Sequence, residues 1–205
     1  MSKFAEMQLQ VLQAVRLKGR INEADLAATV DEHPAAVAAT VGELSRAGLL
    51  AAGRILTISP QGRARLTELL AQERSGLDKA AIAAVYDNFR AVNTDLKALV
   101  TDWQLNDGQP NSHTDAAYDA AVLVRLEAVH RRIVPIIAAA GVALPRLGAY
   151  LRKLSAALAK IRSGDTSWLT RPTIDSYHTV WFELHEELIA AAGLTREHEA
   201  EAGRA

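Results

Sequence analysis

The fold of the first third of the chain is decided by one stretch, Leu49-Leu50-Ala51-Ala52-Gly53-Arg54-Ile55-Leu56-Thr57-Ile58-Ser59-Pro60-Gln61-Gly62. Two short apolar runs, at residues 49–50 and 55–58, flank a turn that contains Gly53, a pattern that is typical of a β-hairpin. Pro60 and Gly62 then open a helix, because the fixed φ of proline suits the first turn of a helix. The stretch therefore predicts a small hairpin that continues directly into a helix.

Upstream of this stretch, the sequence predicts three helices. Asn22 can cap a short second helix, and Pro34 begins a third, which ends at Gly48. The first helix precedes Gly19 and has apolar residues at helical spacing, namely Phe4, Met7, Val11, Ala14 and Val15. Three helices, a hairpin and a further helix make a winged helix-turn-helix, which we assign to residues 1–76.

The third predicted helix is the one that would read DNA in a winged helix-turn-helix. Its N-terminal half, residues 33–40, offers mainly alanines, whereas base recognition needs arginine, lysine, asparagine or glutamine. Asp31 and Glu32 precede it, and their carboxylates would repel DNA phosphates. Since the formal net charge of the chain is -1, DNA binding is disfavoured but stays open. Docking on another protein is the other use of such a domain.

Composition excludes several classes of protein. The chain of 205 residues has no cysteine, which excludes disulfides, zinc–thiolate sites and thiol nucleophiles. The longest apolar run, residues 133–144, contains Pro135 and is too short to cross a bilayer. The N-terminus lacks the apolar stretch of a signal peptide. These features predict a soluble, cytoplasmic protein that has no membrane partner.

The remaining two thirds of the chain predict four long helices. The first extends from Asp78 to about Gln104, and the second begins at the capping pair Thr114-Asp115. The third has leucines in heptad spacing from Leu147, and the fourth covers about residues 173–192. Short connections make successive helices antiparallel neighbours. We therefore predict a mainly α protein with an antiparallel four-helix bundle at residues 77–195 and a polar tail at residues 196–205.

Polar and aromatic residues concentrate where some of these helices begin and end. In an up-down bundle, the loops at residues 105–113 and 164–172 lie at the same end. Two helix N-termini point to this end, and their free amides favour an anionic group. The predicted substrate-binding residues lie around it: Asp102, Trp103, Gln104, Tyr118, Arg162, Trp168, Arg171, Tyr177, Trp181 and Phe182.

The fourth predicted helix carries ionisable groups on a face that otherwise resembles core. Asp175, His178 and His185 follow helical spacing together with Phe182, and His130 lies on a similar face of the second helix. Buried ionisable groups cost free energy unless they are paired, and carboxylate–histidine pairs can act as a general base. The predicted catalytic residues are therefore His130, Asp175, His178 and His185.

A metal site is the competing interpretation of these histidines. His178 and His185 are seven residues apart, about 10 Å along a helix, which is too far for both to bind one ion. Di-iron bundles need Glu-x-x-His on two helices, and Glu127 with His130 fits this spacing once. The sequence also lacks a glycine-rich phosphate loop. It therefore predicts that the chain itself binds no metal and no nucleotide.

Short motifs in both parts of the chain resemble known families. The junction Thr57-Ile58-Ser59-Pro60-Gln61-Gly62-Arg63 is similar to the one between wing and helix in MarR-like regulators. Four further segments are Val15-Arg16-Leu17-Lys18-Gly19-Arg20, Thr101-Asp102-Trp103-Gln104-Leu105, Asp115-Ala116-Ala117-Tyr118-Asp119-Ala120-Ala121-Val122 and Asp175-Ser176-Tyr177-His178-Thr179-Val180-Trp181-Phe182-Glu183-Leu184-His185-Glu186. They resemble the C-terminal regions of actinobacterial proteins related to pyruvate phosphate dikinase and phosphoenolpyruvate synthase.

This second resemblance implies a function that the chain performs with a partner. In that family an ATP-grasp domain phosphorylates a histidine on a swivelling domain, which carries the phosphoryl group to an acceptor. The chain has neither part, so the resemblance implies a large partner subunit that holds ATP and Mg²⁺. The chain is similar to small subunits of two-component dikinases that phosphorylate phenolic compounds such as hydroxyphenyl ketones, a step in the catabolism of aromatic compounds.

The same resemblance implies roles for individual residues. The bundle would bind the phenolic acceptor, with aromatic side chains packed against its ring. A histidine or aspartate among His130, Asp175, His178 and His185 would take the hydroxyl proton. Arg162 or Arg171 would balance the charge of the transferred phosphoryl group.

Two other functions stay open from the sequence. One is a MarR-like, ligand-responsive transcriptional regulator, with the winged helix on DNA and the bundle as an effector pocket. The other is an adaptor without chemistry of its own. The near-neutral charge and the alanine-rich third helix weigh against the regulator. The clustered histidines, carboxylates and tryptophans weigh against the adaptor.

Overall fold

The computed structural model describes residues 1–51 and 53–195. The predicted polar tail, residues 196–205, lies outside the described residues. Helix accounts for 74% of the structure, so the predicted mainly α class is confirmed. The chain divides into two compact units, Met1–Leu77 and the part from Asp78 onward. No helix in the described part of the chain combines the length and apolar character needed to cross a bilayer.

The N-terminal unit has four helices and one small antiparallel sheet. Side chains cap the helices at their N-termini, as at Asn22, which accepts a hydrogen bond from the amide of Asp25, and at Ser59, which accepts one from the amide of Gly62. In chain order the elements are α1 (Lys3–Lys18), α2 (Glu23–Val30), α3 (Pro34–Arg46), β1 (Leu50–Ala51), β2 (Thr57–Ile58) and α4 (Pro60–Ser75).

The sheet joins the end of α3 to the start of α4. Leu50 pairs with Ile58, and an isolated bridge between Ile21 and Leu56 ties in the segment that follows α1. Apolar side chains from all four helices and from the sheet form one core beneath it, which includes Leu12, Val15, Leu26, Val37, Leu44, Leu56 and Leu66. Burial of these side chains is the main source of stability for a unit of this size.

Gly62 allows the first turn of α4 to lie directly on the strand connection. A Cβ atom at this position would stand 2.0 Å from the carbonyl oxygen of Leu49 and 2.9 Å from Cγ1 of Ile58. The Leu49 carbonyl cannot easily move away, because it accepts a hydrogen bond from the amide of Ser59. A side chain larger than hydrogen is therefore excluded here.

The C-terminal unit consists of long helices with short connections. Its elements are α5 (Lys79–Gln104), β3 (Leu105–Asn106), β4 (Gln109–Pro110), α6 (Ala116–Ala143), α7 (Ala149–Arg162) and α8 (Tyr177–Ala191), with 3₁₀ turns at Pro145–Gly148 and Thr166–Trp168. The strands β3 and β4 form a hairpin in which Leu105 pairs with Pro110. The sequence predicted a loop in this region, because strands of only two residues are too short to show an alternating pattern.

Contacts between the long helices show their relative directions. Along α5 and α8, Tyr86 meets His185 and Asn93 meets Trp181, so the two helices run antiparallel. The residue pairs His130–Ser155 and Glu127–Arg162 show the same for α6 and α7. The core between the helices contains Phe89, Leu126, Ile133, Leu154, Val180 and Leu184.

The start of α8 differs from the sequence-based expectation. Ser176 is buried and caps the helix by accepting a hydrogen bond from the amide of Thr179, so α8 begins at Tyr177 rather than near residue 173. Asp175 consequently precedes the helix and does not lie on one helical face with His178 and His185. The serine decides the boundary because an N-cap residue has extended backbone angles.

Candidate functional site

A cleft of about 150 Å³ lies between α5 and α8. One stripe of α8 forms one wall of this cleft, and neighbouring turns of α5 form the other, because residues three and four apart share a helix face. The lining residues are Asn93, Leu96, Lys97, His178, Trp181, Phe182 and His185. The cleft thus brings together two predicted catalytic residues and two predicted substrate-binding residues.

The aromatic wall of the cleft is held in a fixed orientation. The indole Nε1 of Trp181 donates a hydrogen bond of 2.9 Å to Oδ1 of Asn93, and both side chains are buried. The ring of Phe89 packs against the indole with centroids 5.2 Å apart. Because its polar atom has a partner and its ring has a neighbour, the buried indole of Trp181 is held rigidly behind the cleft.

The two histidines of the cleft have different surroundings. His185 is buried, its Nε2 lies 3.3 Å from the hydroxyl of Tyr86, and its ring packs 5.1 Å from that of Phe89. His178 is exposed at the start of α8, where its backbone amide donates to the carbonyl of Leu169. Neighbouring protein atoms displace part of the water around the imidazole, and this desolvation lowers the pKa of His178. The lowered pKa favours the neutral form of His178, which can accept a proton.

Phe182 and Lys97 frame the opening of the cleft. Phe182 is 41% exposed, so part of its ring is available to a ligand. Lys97, one turn along α5 from Asn93, adds an ammonium group. The volume is close to that of a known engineered cavity that holds one benzene ring. The cleft can therefore take a single aromatic ring beside an imidazole and a cation.

His130 belongs to a second group of residues, between α6, α7 and α8. Its Nδ1 lies 3.1 Å from the hydroxyl of Tyr177, and its Nε2 lies 3.5 Å from Oγ of Ser155. Next to it, Arg162 donates two hydrogen bonds to Glu127, of 2.7 and 2.6 Å. Burial raises the pKa of Tyr177 and lowers that of His130, which the charge of Arg162 lowers further.

The lowered pKa of His130 predicts that the C-terminal unit loses stability in mild acid. The unfolded chain, whose histidines have a pKa of about 6.5, binds more protons than the folded chain below that pH. Stability is therefore fully present above about pH 6.5 and declines as pH falls below it. Denaturant unfolding followed by tryptophan fluorescence between about pH 5 and 7.5 measures this slope. Replacing His130→Gln should make the slope shallower, and an unchanged slope would contradict the assignment.

A third group of residues surrounds the β3–β4 hairpin. Asp102 forms an ion pair of 2.5 Å with Arg125, and the single proton of the Tyr118 hydroxyl is shared between the carbonyl oxygens of Asp102 and Leu105. Burial and the charge of Asp102 raise the pKa of Tyr118. Trp103 is buried, and its ring lies 4.5 Å from that of His113.

The hairpin group is too far from the cleft to share one site with it. Trp103 lies ten residues beyond Asn93 on α5, which corresponds to about 15 Å along the helix axis. On α6, Tyr118 lies twelve residues, or about 18 Å, from His130, which contacts Tyr177 and does not line the cleft. The sequence predicted that Asp102, Trp103 and Tyr118 share one site with Tyr177 and Trp181. In the structure, the first three residues lie far from the last two.

The other predicted site residues lie outside the lining of the cleft. Asp175 is half-buried ahead of α8, and Gln104 is exposed at the end of α5. Arg171 donates to Oγ1 of Thr173, and the ring of Trp168 lies under the ammonium group of Lys160. Within residues 1–51 and 53–195, no group of three or more His, Cys, Asp or Glu side chains is arranged to hold a metal ion.

Two polar residues of the cleft, Asn93 and Lys97, were not among the site residues predicted from the sequence. Asn93 is 6% exposed and stands next to Val92 within the buried stripe of α5. A buried amide needs a hydrogen-bond partner, so an asparagine within an apolar stripe was the available signal. Lys97 gave no such signal, because a lysine on a helix surface is ordinary.

No protein family, no curated protein and no solved structure matches the chain.

Proposed function

We propose that the chain is the small, acceptor-binding subunit of an ATP-dependent two-component dikinase. A large partner subunit with ATP-grasp and swivelling phosphohistidine domains holds ATP and Mg²⁺ and supplies the phosphoryl group. The acceptor is the hydroxyl group of a phenolic compound. The observation that carries this proposal is the cleft of about 150 Å³ lined by Trp181, Phe182, His178 and Lys97.

The size and walls of the cleft suit a single phenol ring. Trp181, fixed by Asn93, packs against one side of the ring, and Phe182 covers it at the opening. Aromatic pairs of this kind contribute about 0.5–1.5 kcal/mol beyond the burial of area. Water is displaced from the exposed part of Phe182 when the ring enters, which adds to the affinity.

His178 is the residue best suited to take the phenolic proton. Its pKa is lowered by its surroundings, so it enters the reaction as a neutral base. Removing the proton as the phosphorus–oxygen bond forms gives a better nucleophile. Lys97 lies in the same cleft and would balance the negative charge of the phosphoryl group. His185, which contacts Tyr86, would form the floor.

The two units take separate roles in this proposal. The N-terminal unit is a winged helix-turn-helix that docks on the large subunit, and the C-terminal unit is a four-helix bundle that binds the acceptor. Protein docking fits the exposed face of α3, where Ala35, Ala36 and Ala39 are exposed. The hydroxyl of Thr40 is turned back to the carbonyl of Ala36 and so cannot read a base. Binding to DNA, as in a MarR-like regulator, is the alternative, but these side chains do not favour it.

We expect His178→Ala to lower phosphoryl transfer by about 10²- to 10⁴-fold, because a positioned general base contributes that much. The affinity for the phenol should change little. Phe182→Ala is the matched variant on the same helix, and it should weaken phenol binding while transfer at saturation persists. Binding of a 4-hydroxyphenyl ketone is measured by quenching of tryptophan fluorescence. Transfer is measured with ATP and the copurified partner.

The outcome of affinity purification decides the proposal as a whole. A large ATP-grasp protein recovered with the tagged chain supports it and supplies the partner for the assay. Recovery of DNA at mild salt without such a protein would favour the regulator. If His178→Ala transfers phosphoryl groups at the normal rate, His178 has no role as base, and failure of the chain to bind phenols would overturn acceptor binding.

A further inference from the structure

His113, at the hairpin end of the C-terminal unit, is held in place by several independent contacts. Its backbone amide donates to Oδ1 of Asn111, at 3.0 Å. Its Nδ1 lies 3.0 Å from Oδ2 of Asp119. The centroid of its ring lies 4.5 Å from that of the Trp103 ring. The backbone of His113 has a φ of 57°, in the left-handed region that histidine adopts more readily than most residues. The imidazole is thus fixed in position and in plane.

Asp119 decides which ring nitrogen of His113 carries the proton. Its other oxygen accepts a hydrogen bond of 2.9 Å from Nδ2 of Asn111, so the carboxylate is itself oriented. An ionised carboxylate can only accept hydrogen bonds. Although Nδ1 also lies 3.3 Å from Nδ2 of Asn111, the shorter contact with Asp119 places the proton of the neutral ring on Nδ1. The lone pair is then on Nε2.

The Nε2 atom of His113 is available to a substrate. The His113 side chain is 42% exposed, whereas that of Asp119 is 17% exposed. Nε2 has no hydrogen-bond partner among residues 1–51 and 53–195. A carboxylate that orients an imidazole whose second nitrogen is free is the arrangement of a general base.

The surrounding charge determines which substrates can approach. Asp102, Asp107 and Asp119 all lie close enough to raise the pKa of Tyr118, and Arg125 opposes them. Arg125 is itself paired with Asp102. Around Tyr118 the carboxylates therefore outnumber the one guanidinium, which favours an uncharged or cationic substrate over an anionic one.

We propose that His113 is the general base of a second chemical site, distinct from the cleft between α5 and α8. Nε2 takes the proton of an O–H group of water or of an uncharged or cationic substrate, and the oxygen of that group forms the new bond. The imidazolium that results stays paired with Asp119. The proton passes to the leaving group when the old bond breaks, or to solvent where the group leaves as a stable anion, so the histidine is regenerated.

The experiment uses the full chain with 4-nitrophenyl acetate, an uncharged ester that releases 4-nitrophenolate when the Nε2 lone pair either activates a water molecule or attacks the ester itself. The wild-type chain should release it at least about tenfold faster than His113→Ala, a conservative effect for a positioned base. Asp119→Asn keeps a hydrogen bond to the ring but donates to Nδ1, which moves the proton to Nε2. It should lose most of the rate while the melting temperature is retained.

A second measurement distinguishes chemistry from folding. Diethyl pyrocarbonate acylates neutral imidazoles, and peptide mass spectrometry follows each histidine separately. His33 is an internal standard, because it is also exposed but its Nδ1 accepts a hydrogen bond from the amide of Ala35, at 3.3 Å. We expect His113 to react several times faster than His33 in the wild-type chain and to lose this advantage in Asp119→Asn. Equal rates for the two histidines, or ester hydrolysis unaffected by His113→Ala, would overturn the proposal.

Discussion

Gly62→Ala should unfold or severely destabilise the N-terminal unit and leave the C-terminal unit folded. The added Cβ would stand 2.0 Å from the carbonyl oxygen of Leu49, far inside van der Waals contact. That carbonyl is held by the amide of Ser59, whose hydroxyl donates to Gly48, so the whole junction would have to move. Overpacking of this kind costs about 3 kcal/mol or more, which corresponds to a fall in melting temperature of about 12 °C or more.

The distribution of tryptophan makes this result easy to measure. All three tryptophans, Trp103, Trp168 and Trp181, lie in the C-terminal unit. Hydrogen exchange of N-terminal peptides should therefore accelerate in Gly62→Ala while the fluorescence transition stays in place. Gly42→Ala is the control, because a Cβ added to Gly42 in α3 would meet no described atom within 4 Å beyond its own helix. It should be neutral or stabilise by up to about 1 kcal/mol. Equal behaviour of the two variants would refute the role of Gly62.

Arg146→Met should cause the largest loss of stability in the C-terminal unit. Its guanidinium forms an ion pair of 2.6 Å with Glu187, and the two side chains are only 12% and 5% exposed. Tyr150 is buried beside them, and burial together with the charges of Glu187 and Glu183 raises its pKa. Removing the cation takes the counterion away from a buried carboxylate. Breaking a buried pair in this way costs about 3–5 kcal/mol.

A matched variant tests whether the loss of stability depends on burial of the ion pair or only on its presence. Arg162 pairs with Glu127 at the same distance of 2.6 Å, but its side chain is 59% exposed. Arg162→Met should therefore shift the fluorescence-detected unfolding midpoint far less. Combining Arg146→Met with Glu187→Met should recover much of the loss, because both charges are then removed. If the two arginine variants behave alike, the buried pair does not stabilise the unit.

Helix starts were predictable from the sequence where they depend on neighbouring residues in the chain. Asn22, Ser59 and Asp78 each accept hydrogen bonds from the amides of the turn that follows, so the starts of α2, α4 and α5 are encoded within a few residues. The start of α8 was misplaced, since Ser176 was not recognised as its cap. Serine is a residue type that favours N-caps, but the helical spacing of Asp175 and His178 indicated an earlier start of the helix.

The candidate site was predictable only in part. The spacing of His178, Trp181, Phe182 and His185 places them on one stripe of α8 whatever its surroundings, and this stripe lines the cleft. The partners on α5 were not predictable, because Asn93 meets Trp181 through the way two helices pack. The same packing placed His130 with Tyr177 instead of in the cleft.

The sequence by itself determined the mainly α class and the approximate extent of most helices. These depend on periodicity, capping and propensity, which act over a few residues. Tertiary structure decided which residues meet: Arg146 with Glu187, His113 with Asp119, and Gly62 with the Leu49 carbonyl. The physical reason is that such pairings depend on how each helix is rotated and how far it is shifted along its neighbours. Those quantities follow from the packing of the whole core rather than from any local segment.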